Sequence, residues 1–208
     1  MLRFLVCKCI VIFILVNLWK TGTPHYVDEY SWREYDNYIP HDAYLAGRDA
    51  SGNRLYFGQA LYDNKLIPGK IIENSTAVVF EYFAIEHTAE NNIKILCAQN
   101  PQTFEWVPTN ANDIRSLEKK IFIKGGYEPL VSSYLGRTSL NGIVNIGKII
   151  CTVLSCHGLY VTNNGATQLV TTNFEILSYN ANINNSYFVS IRLEEDQQCK
   201  PITVNIFK

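Results

Sequence analysis

Basic residues neither cluster nor predominate in this sequence: 18 Lys and Arg face 19 Asp and Glu, for a formal net charge of -1. A nucleic-acid binder, or a protein that docks on an anionic membrane surface, needs a patch or stripe of positive charge, so neither is expected. Helical periodicity is almost missing too, with only Asn112–Lys119 able to form a turn or two. No C-x-x-C pair is present, which removes the usual zinc frameworks. There is no glycine-rich phosphate loop, no nucleophile elbow and no metal-binding string. Cys156-His157 and Glu86-His87 put a nucleophile or a base beside another polar group. Neighbours in a strand point to opposite faces, however, and such pairs do not make a catalytic dyad. Neither an enzyme nor a cofactor is expected.

What is present begins with an apolar run, Cys9–Val16, behind Met1-Leu2-Arg3. It reads as a secretory signal peptide over residues 1–22. A signal anchor is the competing reading, because no small-residue cleavage pattern stands at Thr21-Gly22-Thr23 and Lys8 interrupts the run. The uninterrupted stretch is shorter than the ~20 apolar residues that span a bilayer. Cleavage would remove Cys7 and Cys9 and leave Cys97, Cys151, Cys156 and Cys199, which suits disulfides in an oxidising compartment. Sequence cannot choose among the pairings; Cys151 with Cys156 would close a very small loop, and Cys97 with Cys199 would not. Asn74-Ser75-Thr76 and Asn184-Asn185-Ser186 fit the glycosylation sequon and agree with secretion.

The decisive feature is an internal repeat. Shifted by 78 positions the sequence registers on itself: Tyr56 falls on Tyr134, Gly58 on Gly136, Gly69-Lys70-Ile71-Ile72 on Gly147-Lys148-Ile149-Ile150, and Tyr82 on Tyr160. Each copy reads as a β-hairpin, Leu55–Leu61 with Lys65–Ile71 around Asp63-Asn64 in the first and the same pattern around Asn141-Gly142 in the second. Pro68-Gly69 suggests a bend or bulge before the lysine. A further β-rich stretch follows each hairpin, and then a closing strand, reached in the second copy through a loop three residues longer. Tryptophan segments, Tyr30-Ser31-Trp32 and Phe104-Glu105-Trp106, introduce the copies and read as core. The expected fold is all-β, sandwich-like and pseudo-twofold, with repeats over 30–100 and 101–180. A C-terminal β extension over 181–208 would add a hairpin, Tyr187–Leu193 with Ile202–Ile206.

The string Ala46-Gly47-Arg48-Asp49, then Gly52–Gly58, then Ile67-Pro68-Gly69-Lys70 resembles the DM-nine repeat family, and Tyr134–Arg137 with Gly147-Lys148 is similar to its tandem partner copy. Glu86-His87 looks like the family's acidic pair late in the repeat. The likeness covers roughly 30–180. It implies a mannose-type sugar site in which Asp49 and Lys70 hold the ligand. That chemistry is sensible in itself, since a carboxylate accepts from sugar hydroxyls, an ammonium donates to them, and charge-assisted bonds are the stronger kind. The competing reading is a surface ion pair worth ~0–1 kcal/mol. In the second copy strict register puts Tyr127 opposite Asp49, and a one-residue deletion brings Glu128 there instead, where it could form a second site with Lys148. The alternative for Glu128 is an exposed loop carboxylate. Ile146 in place of proline and Ala166-Thr167-Gln168 in place of the acidic pair depart from the pattern.

The resemblance implies a secreted lectin that recognises mannose-type glycans or microbial surface polysaccharide in innate immunity, outside the membrane once its signal is removed. One small polar ligand buries little surface, so avidity would need two sites per chain or a homodimer. The alternatives are a secreted structural or signalling scaffold without sugar binding, and an intracellular pathogen-response protein.

Overall fold

The computed structural model describes residues 30–117, 119–140, 142–163 and 165–180, together with the backbone of two short strands at 189–191 and 204–206. The 1–22 segment, Cys7, Cys9, Cys199, Asn141 and Asn184 lie outside the described residues.

The first half is one seven-stranded antiparallel sheet made of β1 (Tyr30–Glu34), β2 (Leu45–Arg48), β3 (Arg54–Tyr62), β4 (Lys65–Ile72), β5 (Val78–Tyr82), β6 (Ile85–Ala89) and β7 (Ile93–Ala98). The second repeats it with β8 (Phe104–Thr109), β9 (Ile121–Phe122), β10 (Ser132–Leu140), β11 (Ile143–Cys151), β12 (Cys156–Asn163), β13 (Ala166–Val170) and β14 (Phe174–Tyr179). The orders match strand for strand: β1-β7-β3-β4-β5-β6 in one sheet, β8-β14-β10-β11-β12-β13 in the other. They differ in one strand, since β2 pairs with β3 whereas β9 pairs with β14. β15 (Val189–Ile191) and β16 (Val204–Ile206) form a separate two-stranded sheet. Helix is confined, among the described residues, to two single 3-10 turns, Pro101–Thr103 and Ile114–Ser116.

Period-two geometry explains why β3 is buried on both faces. Leu55 and Phe57 enter a core shared by the two sheets, alongside Leu96, Phe104, Leu135, Ile146 and Leu177. Tyr56 and Ala60 point the other way, into a core made by the first sheet with Ile67, Ile71, Val78 and Phe80. The second sheet has its own counterpart around Ile149, Leu159, Val161, Phe174 and Ile176. Phe57 is fully buried, and its truncation to alanine would cost about 3–5 kcal/mol. Trp106 packs against the shared core, with the Arg137 guanidinium 4.3 Å from its ring centre.

Two expectations change. Pro68 and Gly69 pair with Gln59 and Gly58 in unbroken register, so no bulge interrupts the hairpin. Gly69 serves close approach instead: a Cβ there would lie 2.4 Å from the Val79 carbonyl oxygen, and one on Gly147 would lie 1.9 Å from that of Tyr160. The repeat register also shifts. Lys70 pairs with Val79 as Lys148 pairs with Tyr160, so Tyr160 corresponds to Val79 rather than to Tyr82. The three extra residues therefore fall between β11 and β12, where the Cys151–Cys156 disulfide closes the turn. Cys97 is a buried free thiol.

Candidate functional site

On β4 and β11 the residues Lys70 and Lys148 share a parity with Ile72 and Ile146, which pack at the interface between the sheets. Both lysines therefore project where the two repeats meet, one from each side of the pseudo-twofold axis.

Lys70 and Asp49 line one solvent-open cleft of about 440 Å³. Its first-repeat wall is Asp49, Ala50, Ser51, Leu55, Lys70 and Ile72, and the second repeat closes it with Leu140, Ile143, Val144, Asn145, Asn163 and Gln168. Asp49 sits in the turn between β2 and β3. Its Oδ1 accepts from the backbone N–H groups of Ser51 and Asn53, each at 2.9 Å, and its Oδ2 accepts from Asn53 Nδ2 at 3.0 Å. The Asn53 side chain leads in holding the carboxyl below its ordinary value, with the backbone donors adding to it and partial burial opposing. Three of roughly four lone-pair sites are thus occupied, and the carboxylate is locked in orientation. Lys70 Nζ donates to the Thr162 carbonyl across the interface, which leaves further protons for a ligand. Burial pushes its ammonium below the ordinary lysine value, while the carboxylates of Glu86 and Asp49 pull the other way. Asp49 and Lys70 make no ion pair with each other.

Glu128 and Lys148 also meet, in the opposite setting. Lys148 Nζ lies 3.1 Å from both Glu128 oxygens and 3.2 Å from Glu81 Oε2. Lys148 is 2% exposed, Glu128 8% and Glu81 5%, so this trio is sealed. The position that an open second site would need is filled by the protein's own carboxylates, and the reading of Glu128 as an exposed loop residue is likewise not what the structure shows.

Several cleft residues were not singled out from sequence. The spacing Asp49-x-x-Gly52-Asn53 is an Asx-turn signal that could have picked out Asn53. Thr162, Asn145, Asn163 and Gln168 come from the other repeat and carry no local signal. Glu86, noted in the sequence, accepts from Gly165 N at 2.8 Å through Oε1, and its buried Oε2 has no hydrogen-bond partner. His87 points away, into the aromatic side of the first sheet, where it packs on Tyr62 and Phe80. Asn74, the first sequon asparagine, is exposed on the turn between β4 and β5. Among the described residues no His, Cys, Asp or Glu cluster is arranged to hold a metal ion.

Residues 23–89 match the model of the DM9 repeat. The chain carries a DM9 repeat over those residues. The matched segment contains Asp49, Lys70 and the Glu86-His87 pair, so the first-repeat wall of the cleft lies inside the DM9 repeat. A search of curated proteins finds no match to the chain. A DM9 repeat is consistent with a lectin-like, carbohydrate-binding role.

Proposed function

We propose that this protein is a secreted lectin that holds mannose-type glycans in the cleft lined by Asp49 and Lys70, and that it recognises microbial surface polysaccharide without catalysis of its own. The observation that carries the reading is the shared cleft: an oriented carboxylate and an ammonium with unused protons line one open surface. Sugar hydroxyls both donate and accept, and the amides of Asn145, Asn163 and Gln168 do the same, which gives a neutral polyol several complementary partners. Leu55, Ile72 and Val144 supply apolar surface for ring C–H groups.

With the Glu128–Lys148 pair sealed, each chain offers one such cleft, and avidity on a polysaccharide then comes from a homodimer. The test is retention on mannan-agarose, with Asp49→Ala and Lys70→Ala as variants. The wild type is retained and eluted by free mannose, and both variants run through. If wild type and variants all behave as on a blank column, the protein is a secreted scaffold that keeps the repeats without the sugar.

A further inference from the structure

The Asn74-Ser75-Thr76 sequon follows directly on β4, the strand whose Lys70 and Ile72 line the cleft. Four residues span at most about 14 Å, which bounds the separation of the Asn74 and Lys70 backbones. The sequon turn is also tied sideways to the cleft wall. Glu73 N donates to the Arg54 carbonyl at 2.8 Å, Arg54 N donates to Glu73 Oε2 at 3.0 Å, and Arg54 Nε donates to Glu73 Oε1 at 2.8 Å. Arg54 itself stands between Asn53, which orients Asp49, and Leu55, which lines the cleft.

The turn holds its asparagine outward and uncommitted. Asn74 has a φ of 65°, a left-handed conformation that asparagine tolerates better than most side chains. Ser75 N closes the turn by donating to the Ile72 carbonyl at 2.9 Å, and the Tyr35 hydroxyl anchors it by donating to the Ser75 carbonyl at 2.6 Å. Asn74 and Thr76 are both exposed, and the Asn74 side-chain amide has no hydrogen-bond partner among the described residues. An N-glycosylation acceptor needs a free, accessible amide with an accessible hydroxyl residue two positions on, and both are present. The corresponding turn of the second repeat is closed by the Cys151–Cys156 disulfide and carries no sequon.

We propose that Asn74 carries an oligomannose glycan and that mannose of this glycan occupies the Asp49–Lys70 cleft of the same chain, as a tethered competitor of outside ligands. In the modification, Asn74 Nδ2 bonds to the anomeric carbon of a lipid-linked pyrophosphate oligosaccharide. The bond from that carbon to the pyrophosphate oxygen breaks, the lipid pyrophosphate leaves, and the amide proton passes to a carboxylate of the transferase. Mannose begins just beyond the chitobiose stem of such a glycan, and its root lies within about 14 Å of the Lys70 backbone. A short flexible tether gives an effective concentration on the order of millimolar, comparable with the strength at which one site holds a small polar ligand. Isolated sugars then compete poorly, whereas a dense polysaccharide, presenting many ends at once, displaces the tethered glycan. The inference rests on the mannose-cleft reading above.

The experiment uses the full chain secreted from insect cells in which mannose trimming is blocked, with Asp49→Ala and Thr76→Ala as variants. Thr76→Ala removes the sequon while Asn74 keeps its place in the turn. Peptide mass mapping finds the glycan on Asn74 in wild type and not in Thr76→Ala. Read on the Asn74 peptide, α-mannosidase trims the native wild-type glycan at least about twofold more slowly than that of Asp49→Ala. Thr76→Ala, and wild type cut by an endoglycosidase within the chitobiose stem, bind a soluble mannose oligosaccharide at least about twofold more tightly than untreated wild type. The inference is overturned if the secreted chain leaves Asn74 unmodified, if wild type and Asp49→Ala are trimmed at the same rate, or if the oligosaccharide binds equally with and without the glycan. Equal trimming together with retention on mannan removes self-occupancy and leaves the lectin reading intact. Protection that Asp49→Ala abolishes, with no form retained on mannan, upholds self-occupancy and removes the recognition of outside polysaccharide.

Discussion

Lys70 and Lys148 occupy the same position in the two sheets, yet one lines an open cleft with Asp49 and the other is buried between Glu81 and Glu128. The duplicated scaffold has given one lysine to solvent and the other to the joint between the repeats. The difference lies in what faces each lysine across the axis: the Thr162 carbonyl for Lys70, the Glu81 carboxylate for Lys148.

Stability should respond to the two lysines very differently. Lys148→Met leaves two carboxylates buried without a cation, and the expected loss is about 3–5 kcal/mol. Lys70→Met removes one hydrogen bond at a partly exposed site, for about 1 kcal/mol. Urea midpoints of the two variants compare them directly, and equal midpoints would contradict the assignment of Lys148 to the joint.

Binding at the cleft should fail early on the alkaline side. It requires the Lys70 ammonium, whose proton is lost as pH rises through a value below the ordinary 10.5. Asp49 is held below the ordinary 3.8 by the Asn53 side chain, so its protonation on the acid side is delayed relative to an ordinary aspartate. Mannan retention across a pH series is therefore expected to hold on the acid side down to about pH 4 and to decline before pH 10.5.

Asn53→Ala tests orientation at the cleft without removing either charge. The substitution deletes the Nδ2 donor that fixes Asp49 Oδ2. Re-ordering the freed carboxylate on binding costs about 1 kcal/mol, or roughly fivefold in mannan affinity, and because the bond is also present without ligand the melting temperature falls by about 2–4 °C. Titration calorimetry reads the affinity.

The Cys151–Cys156 bond closes a short loop, for which loop-closure entropy gives about 2 kcal/mol. Neither cysteine lines the cleft. Cys151→Ser with Cys156→Ser is expected to lower the urea midpoint accordingly while leaving mannan affinity unchanged.

Gly147→Ala is expected to cost at least about 1–3 kcal/mol, because the new methyl meets the backbone of β12 rather than a flexible side chain. Gly142→Ala is the control, since its φ of 79° is strained for alanine but nothing stands within 4 Å. Thermal denaturation should rank Gly147→Ala as the more damaging of the two.

Much of the architecture is local and therefore legible in the chain. The alternation of Leu55, Phe57 and Gln59 with Tyr56, Gly58 and Ala60, and turn residues such as Asp63-Asn64, specify hairpins through period-two geometry and positive φ, and the gapless run from Tyr56 to Ile72 onto Tyr134 to Ile150 shows that the hairpin occurs twice. Asp49 and Lys70 could be named because both sit in one repeat. The break in register was misplaced because Tyr82 and Tyr160 look alike, and only backbone pairing shows that Tyr160 stands opposite its lysine as Val79 does.

The chain by itself determined two all-β units and the residue types on each strand face, since both follow from contacts between near neighbours. Which lysine would be wet and which dry was decided only when the sheets packed. That outcome depends on Thr162 and Glu81 reaching across the axis from the opposite repeat, and no spacing along one strand encodes a partner that far away.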